Sequence, residues 1–167
     1  MRIGSLPRVG SGELLGEECR VRVVCEGRFE LPLPPDQARP YFTPEGERAW
    51  AGPAWDPVYP DPGAAGDDSA PGTVFNTESH GGDATWVVVD RTATTMRYAR
   101  FVPRQIAGTI AVQCAPGATD DETVVTVTYD VTSLGPDGAE FVERLRDGYD
   151  AFLGGWREQI VRSLGAV

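Results

Sequence analysis

Between residues 19 and 134 apolar and polar positions alternate in short runs, and only beyond Pro136 does the spacing change to a helical period. The first run is Cys19 to Leu33, where Val21, Val23, Cys25, Phe29 and Leu31 hold odd positions against Arg20, Arg22, Val24 and Glu26. Successive strand side chains point to opposite faces, so this predicts a long strand with one buried face. Pro32, Pro34 and Pro35 stop it. Asp36 to Phe42 then reads as a short helix bent by Pro40, and a second runs to about Trp50 with Thr43 as N-cap and Pro44 at the first helical position. The proline-rich stretch from Ala51 to Gly72 fits no regular element and is predicted to be a long loop, ordered around Trp55 and mobile over Gly63 to Ala70.

Strands at Thr73 to Ser79 and Ala84 to Arg91 flank His80-Gly81-Gly82-Asp83, a tight-hairpin signal. With Gly81 and Gly82 as the turn residues, Ser79 opposes Ala84, Thr77 opposes Trp86 and Phe75 opposes Val88. One face then gathers Phe75, Thr77, Trp86 and Val88. Three more strands are predicted at Thr94 to Val102, Gln105 to Ala115 and Glu122 to Leu134, the last with Val125, Val127, Tyr129 and Val131 facing inward. Gly135 and Pro136 end the sheet, and a single long amphipathic helix follows to about Leu164, with a stripe of Phe141, Leu145, Tyr149, Phe152, Trp156 and Ile160. Gly148, Ala151 and Gly155 border that stripe, where missing side chains leave room.

A chain of 167 residues is long enough to bury its own core, and the pattern predicts one domain over 19–167 behind a loose arm or edge strand over 1–18. A formal charge of −10 repels phosphate backbones and anionic lipid, so nucleic acid is not an expected partner. No apolar run reaches the roughly 20 residues that span a bilayer, and residues 1–18 lack the apolar core of a signal peptide; membrane insertion is not expected and a cytoplasmic location is. Cys19 and Cys25 lie about 20 Å apart along one strand and cannot bridge each other; Cys114 could in principle meet one of them, but three reduced thiols in a cytoplasmic core are expected. All fifteen basic residues are arginines, which removes lysine-based Schiff-base, pyridoxal and phosphate-loop chemistry. His80 is the sole imidazole, and no multi-histidine or Cys-x-x-Cys metal site can be assembled; no cofactor is expected.

Strand, two short helices, antiparallel strands and one closing helix is a layout that resembles the START-like, or SRPBCC, superfamily. Phe29-Glu30-Leu31-Pro32-Leu33-Pro34-Pro35 leading into Tyr41 to Trp50 is similar to its opening strand and helix pair. Trp55-Asp56-Pro57 resembles the crossing segment of its bacterial members, and Gly72 to Phe75, Trp86 to Val88 and Met96-Arg97-Tyr98 resemble its central strands. The resemblance covers about Cys19 to Leu164 and implies an α+β helix-grip fold: a curved antiparallel sheet of six or seven strands around a long C-terminal helix, with a cavity between. Members use that cavity for lipid or sterol transfer, hormone sensing, polyketide aromatisation or cyclisation, or chaperone activation, so the layout alone assigns no role.

The residues expected to line the pocket are Phe42, Trp55, Phe75, Thr77, Trp86, Tyr98, Arg100, Ile110, Val127, Tyr129, Phe152 and Trp156. The tryptophans serve equally as plain core, and a buried tyrosine hydroxyl as a donor to nearby backbone. Arg100 and Asp90 are charges in otherwise apolar strands, either approaching the cavity or forming a structural ion pair. His80 is expected at the surface beside its turn, and Asp67-Asp68 and Asp120-Asp121-Glu122 read as solvated loop charges. The expected function is binding of a small, mostly hydrophobic or aromatic molecule by a monomer or homodimer. The alternatives are an aromatase- or cyclase-like enzyme working through Tyr98, Arg100 and Tyr129, and a protein-interaction module.

Overall fold

The structure, a computed structural model, describes residues 20–78 and 83–165. The arm over 1–18, Cys19, His80 and the Gly81-Gly82 turn lie outside the described residues. Six strands form one antiparallel sheet: β1 Arg22–Leu31, β2 Val74–Thr77, β3 Ala84–Arg91, β4 Thr95–Val102, β5 Ile106–Pro116 and β6 Thr123–Ser133, in the order β1-β6-β5-β4-β3-β2. Between β1 and β2 lie α1 Pro35–Ala38 and 3-10 helices Arg39–Phe42, Gly46–Ala49 and Pro62–Asp67; α2 Pro136–Asp147 and α3 Tyr149–Leu164 close the chain. This is the α+β helix-grip architecture.

The alternation seen in sequence sets the inner face. Val23, Cys25, Phe29 and Leu31 of β1 are buried beside Val125, Val127, Tyr129 and Val131 of β6, with Cys25 opposite Tyr129 and Phe29 opposite Val125. Cys25 and Cys114 are both buried free thiols, and burial pushes the Cys114 thiol up to about 12.

Four expectations are corrected. The β2–β3 register is displaced by two residues: Phe75 opposes Trp86 and Thr77 opposes Ala84. A shift of two keeps every side chain on its face, and Phe75, Thr77, Trp86 and Val88 remain buried together. The second short helix starts at Gly46 and not at Pro44. The Thr43 hydroxyl still serves its entry, accepting from the Gly46 N–H at 3.0 Å.

The closing helix is two segments meeting at Gly148, whose φ of −112° and ψ of 14° leave the helical range. The buried stripe is Val142 and Leu145 in α2, then Tyr149, Leu153 and Ile160 in α3, steps of three, four, four and seven that keep one face across the break. Phe141, Phe152 and Trp156 are turned to its side, and Phe152 is 36% exposed.

The proline-rich stretch carries an element that its sequence pattern does not predict, the 3-10 helix Pro62–Asp67, entered where the Asp61 carboxylate accepts from the Gly63 N–H. Asp67 and Asp68 tie this helix down. Asp67 pairs with Arg91 of β3 at 2.7 Å, and Asp68 accepts from the Glu45 N–H at 2.8 Å.

Candidate functional site: a cavity beside the closing helix

The helix grips the sheet closely on one side only. A Cβ on Gly27 of β1 would come within 2.5 Å of the Leu153 side chain and 3.2 Å of Tyr149, so glycine permits the approach of α3. The Tyr149 hydroxyl donates to the Val127 carbonyl at 2.9 Å, fixing the same edge. On the other side α2 and α3 stand away from β3 and β4, leaving a cavity of about 510 Å³. That volume falls within the range of small-molecule sites.

The sheet contributes Trp86, Arg100 and Tyr129 to this cavity, and the segment after β1 contributes Glu47, Trp50, Ala51 and Trp55. The helices supply Phe141, Leu145, Phe152 and Trp156, with Gly148, Ala151 and Gly155 beside them as the bordering small residues predict. A Cβ on Gly155 would meet nothing within 4 Å. The exposed Arg144, Ala151, Phe152 and Gln159 mark the solvent side. A small annex of about 40 Å³ lies deeper, where Phe75, Tyr98, Ile110 and Val112 join Trp86 and Tyr129.

Six of the twelve expected residues, Trp55, Trp86, Arg100, Tyr129, Phe152 and Trp156, therefore meet around the main cavity, and Phe75, Tyr98 and Ile110 around its annex. Phe42, Thr77 and Val127 do not line it. The Phe42 ring is fully buried between Phe29 and Trp50. Thr77 accepts the Trp86 indole N–H at 3.0 Å, and Val127 is covered by α3 where Tyr149 reaches its carbonyl.

Polar groups divide into committed and uncommitted ones. The Trp50 indole donates to the Tyr41 carbonyl at 2.7 Å, and that of Trp55 to the Pro44 carbonyl at 2.8 Å. With Trp86 bound to Thr77, these three rings line the cavity while their N–H groups are satisfied within the protein. Tyr98 donates to the Phe42 carbonyl at 2.6 Å, which with its burial ties it to the core. Burial and the nearby Glu47 raise its pKa further, which argues against an acid-base role.

Arg100 behaves differently. It is 7% exposed, its guanidinium lies 5.0 Å from the Trp86 ring centre and 5.6 Å from that of Phe141, and its Nε is buried with no hydrogen-bond partner. Desolvation lowers its pKa, but a guanidinium keeps its charge in proteins. The expected pairing with Asp90 is absent. A bulge between Val88 and Asp90 turns Asp90 outward, opposite Arg97.

Glu47 is the residue that sequence reasoning missed. It is 9% exposed on the cavity wall, and desolvation pushes its carboxyl up to about 8. Tyr129 lies within electrostatic reach of both Glu47 and Arg100, and burial raises its phenol out of the physiological range. Among the described residues no cluster of three or more His, Cys, Asp or Glu could hold a metal ion, and no helix is long and apolar enough to cross a membrane.

No family model matches the chain, and no curated protein matches it in sequence. Solved structures do match in shape. Norcoclaurine synthase from Thalictrum flavum, in complex with dopamine and hydroxybenzaldehyde, superposes with a TM-score of 0.60 at 11% identity, over 96% of this chain and 98% of that one. A protein from Mesorhizobium loti gives 0.59 at 17% identity, over 85% and 98%, and one from Bacillus thuringiensis gives 0.61 at 11%, over 81% and 97%. At such identities the likeness is one of fold, and it agrees with the helix-grip architecture built above from strand order and the closing helix.

Proposed function

We propose that the protein binds a small, mostly apolar molecule, flat enough to stack on indole, in the cavity between β3–β4 and the closing helices. The observation that carries this is the wall itself: Trp50, Trp55, Trp86, Phe141, Phe152 and Trp156 surround about 510 Å³ that no side chain fills. An interior closes to crystal-like density wherever nothing opposes it, so an aromatic-walled void of this size suits a guest. Native mass spectrometry of the purified protein, with a thermal-shift panel of fused-ring aromatics and lipids, tests the reading. A bound species, or a shift that disappears when Gly155→Leu narrows the cavity, supports it; no species and no shift across the panel refutes it.

Glu47 favours a second reading, an enzyme acting on its guest. A carboxyl poised to about 8 holds a proton at neutral pH and can deliver or recover it. Arg100 would stabilise negative charge developing on a carbonyl oxygen, with Tyr129 on the same cavity wall. Tyr98 drops out of this set because of its bond to the Phe42 carbonyl. For a substrate that the protein is found to turn over, Glu47→Gln should abolish turnover while leaving affinity within a few-fold. Unchanged turnover would leave the carrier reading alone.

A further inference from the structure

We infer that the guest is anionic: a flat apolar body bearing one carboxylate, seated on Arg100 where β4 meets Trp86 and Phe141. This rests on the cavity being a ligand site and goes further by fixing the charge and polarity of what enters.

A guanidinium carries five N–H donors in its plane and none on its faces. The aromatic contacts with Trp86 and Phe141 engage the cation through the rings, but cation–π attraction leaves the in-plane donors without acceptors. Nε shows this directly, being buried and without a partner. None of the ion pairs among the described residues includes Arg100, although most other arginines near a carboxylate are so paired, including Arg22, Arg48, Arg91 and Arg144. A structural arginine would be expected to have a carboxylate or a set of carbonyls, because an unpaired buried charge is strongly unfavourable.

The remaining ionisable groups on the wall fit one anion. Glu47 is kept protonated near neutrality by burial, so it neither neutralises Arg100 nor repels a carboxylate. Arg144 on the solvent side is neutralised by Glu140. Tyr129 keeps its phenol proton and is available as a donor. The inner wall is thus a site of local positive charge in a chain whose formal charge is −10. A planar carboxylate meets the edge of a planar guanidinium through two parallel hydrogen bonds, and its aromatic body would then lie along the indole faces.

The test uses matched acid, amide and amine forms of one-, two- and three-ring aromatics: benzoate, 2-naphthoate and anthracene-2-carboxylate, their primary amides, and the corresponding aminomethyl compounds. Affinities are measured by calorimetry at pH 6.5 in low salt. For the ring size that fits, the acid should bind at least about ten-fold more tightly than its amide, and the amine most weakly. Arg100→Gln should bring acid and amide to within about two-fold of each other, while Arg100→Lys keeps part of the preference. Without ligand, Arg100→Gln should melt at or above the wild-type temperature, since an unpaired charge has been removed. Equal binding of acid and amide by the wild type, or a preference that survives in Arg100→Gln, overturns the inference and leaves the cavity reading standing. Failure of all three chemical forms at every ring size overturns the inference, and joined to an empty native mass spectrum and no shift with lipids it overturns both.

Discussion

The two flanks of the closing helix are built from similar residues to opposite ends. Beside β1 and β6, Gly27 lets Leu153 and Tyr149 press onto the sheet. Beside β3 and β4, Gly148, Ala151 and Gly155 face Trp86 and Arg100 across open space. A small residue therefore means contact on one flank and vacancy on the other. The contrast teaches that the tight flank supplies stability and allows the loose one to remain unfilled.

The contrast can be broken most forcefully at Leu153. Leu153→Ala should cost about 2–5 kcal/mol in urea unfolding, whereas Phe152→Ala, its exposed neighbour, should cost well under half as much. Equal losses would mean that the flanks are not distinct. Gly27→Ala comes next. Its new methyl meets Leu153 at 2.5 Å, and a loss of about 1–3 kcal/mol is expected by the same measurement.

Glu47 sharpens the loose flank through pH. Its folded pKa of about 8 stands above the ordinary 4.5, so between these values the native state holds a proton that the unfolded chain has lost. The stability it contributes is full below about 4.5 and is lost as pH rises through about 8, at up to about 1.4 kcal/mol per unit. Glu47→Gln should flatten that slope in denaturation series run from pH 5 to 8. The smallest effect is expected at Gly155. Gly155→Ala removes a helix-weakening residue without meeting any atom within 4 Å, and should raise stability by up to about 1 kcal/mol. A gain there beside a loss at Gly27 would confirm that the two glycines have opposite roles.

Much of this architecture was legible because strand alternation carries it directly. Val125, Val127, Tyr129 and Val131 could face only one way, and Arg100 stood out as a charge among apolar neighbours. What escaped depended on lengths and phases that local pattern does not encode. The Gly81-Gly82 pair suggested a two-residue turn, and the true pairing differs by two positions. The predicted helical stripe placed Phe152 and Trp156 inside, whereas the face that meets the sheet is turned by about half a residue step and gives the buried positions to Val142 and Leu153. Asp90 left the interior through a bulge that no residue type announces. Glu47 was invisible for a plainer reason. Glu45 and Glu47 share one short polar segment, and only the fold over it decides that the first is exposed and the second buried.

All four tryptophans of the chain, Trp50, Trp55, Trp86 and Trp156, border the same hollow. The protein's tryptophan emission therefore arises wholly from the walls of one chamber, with no indole elsewhere to dilute it. Any occupant that touches those rings should alter the brightness or colour of the whole molecule, so the chain carries a built-in optical gauge of its own occupancy.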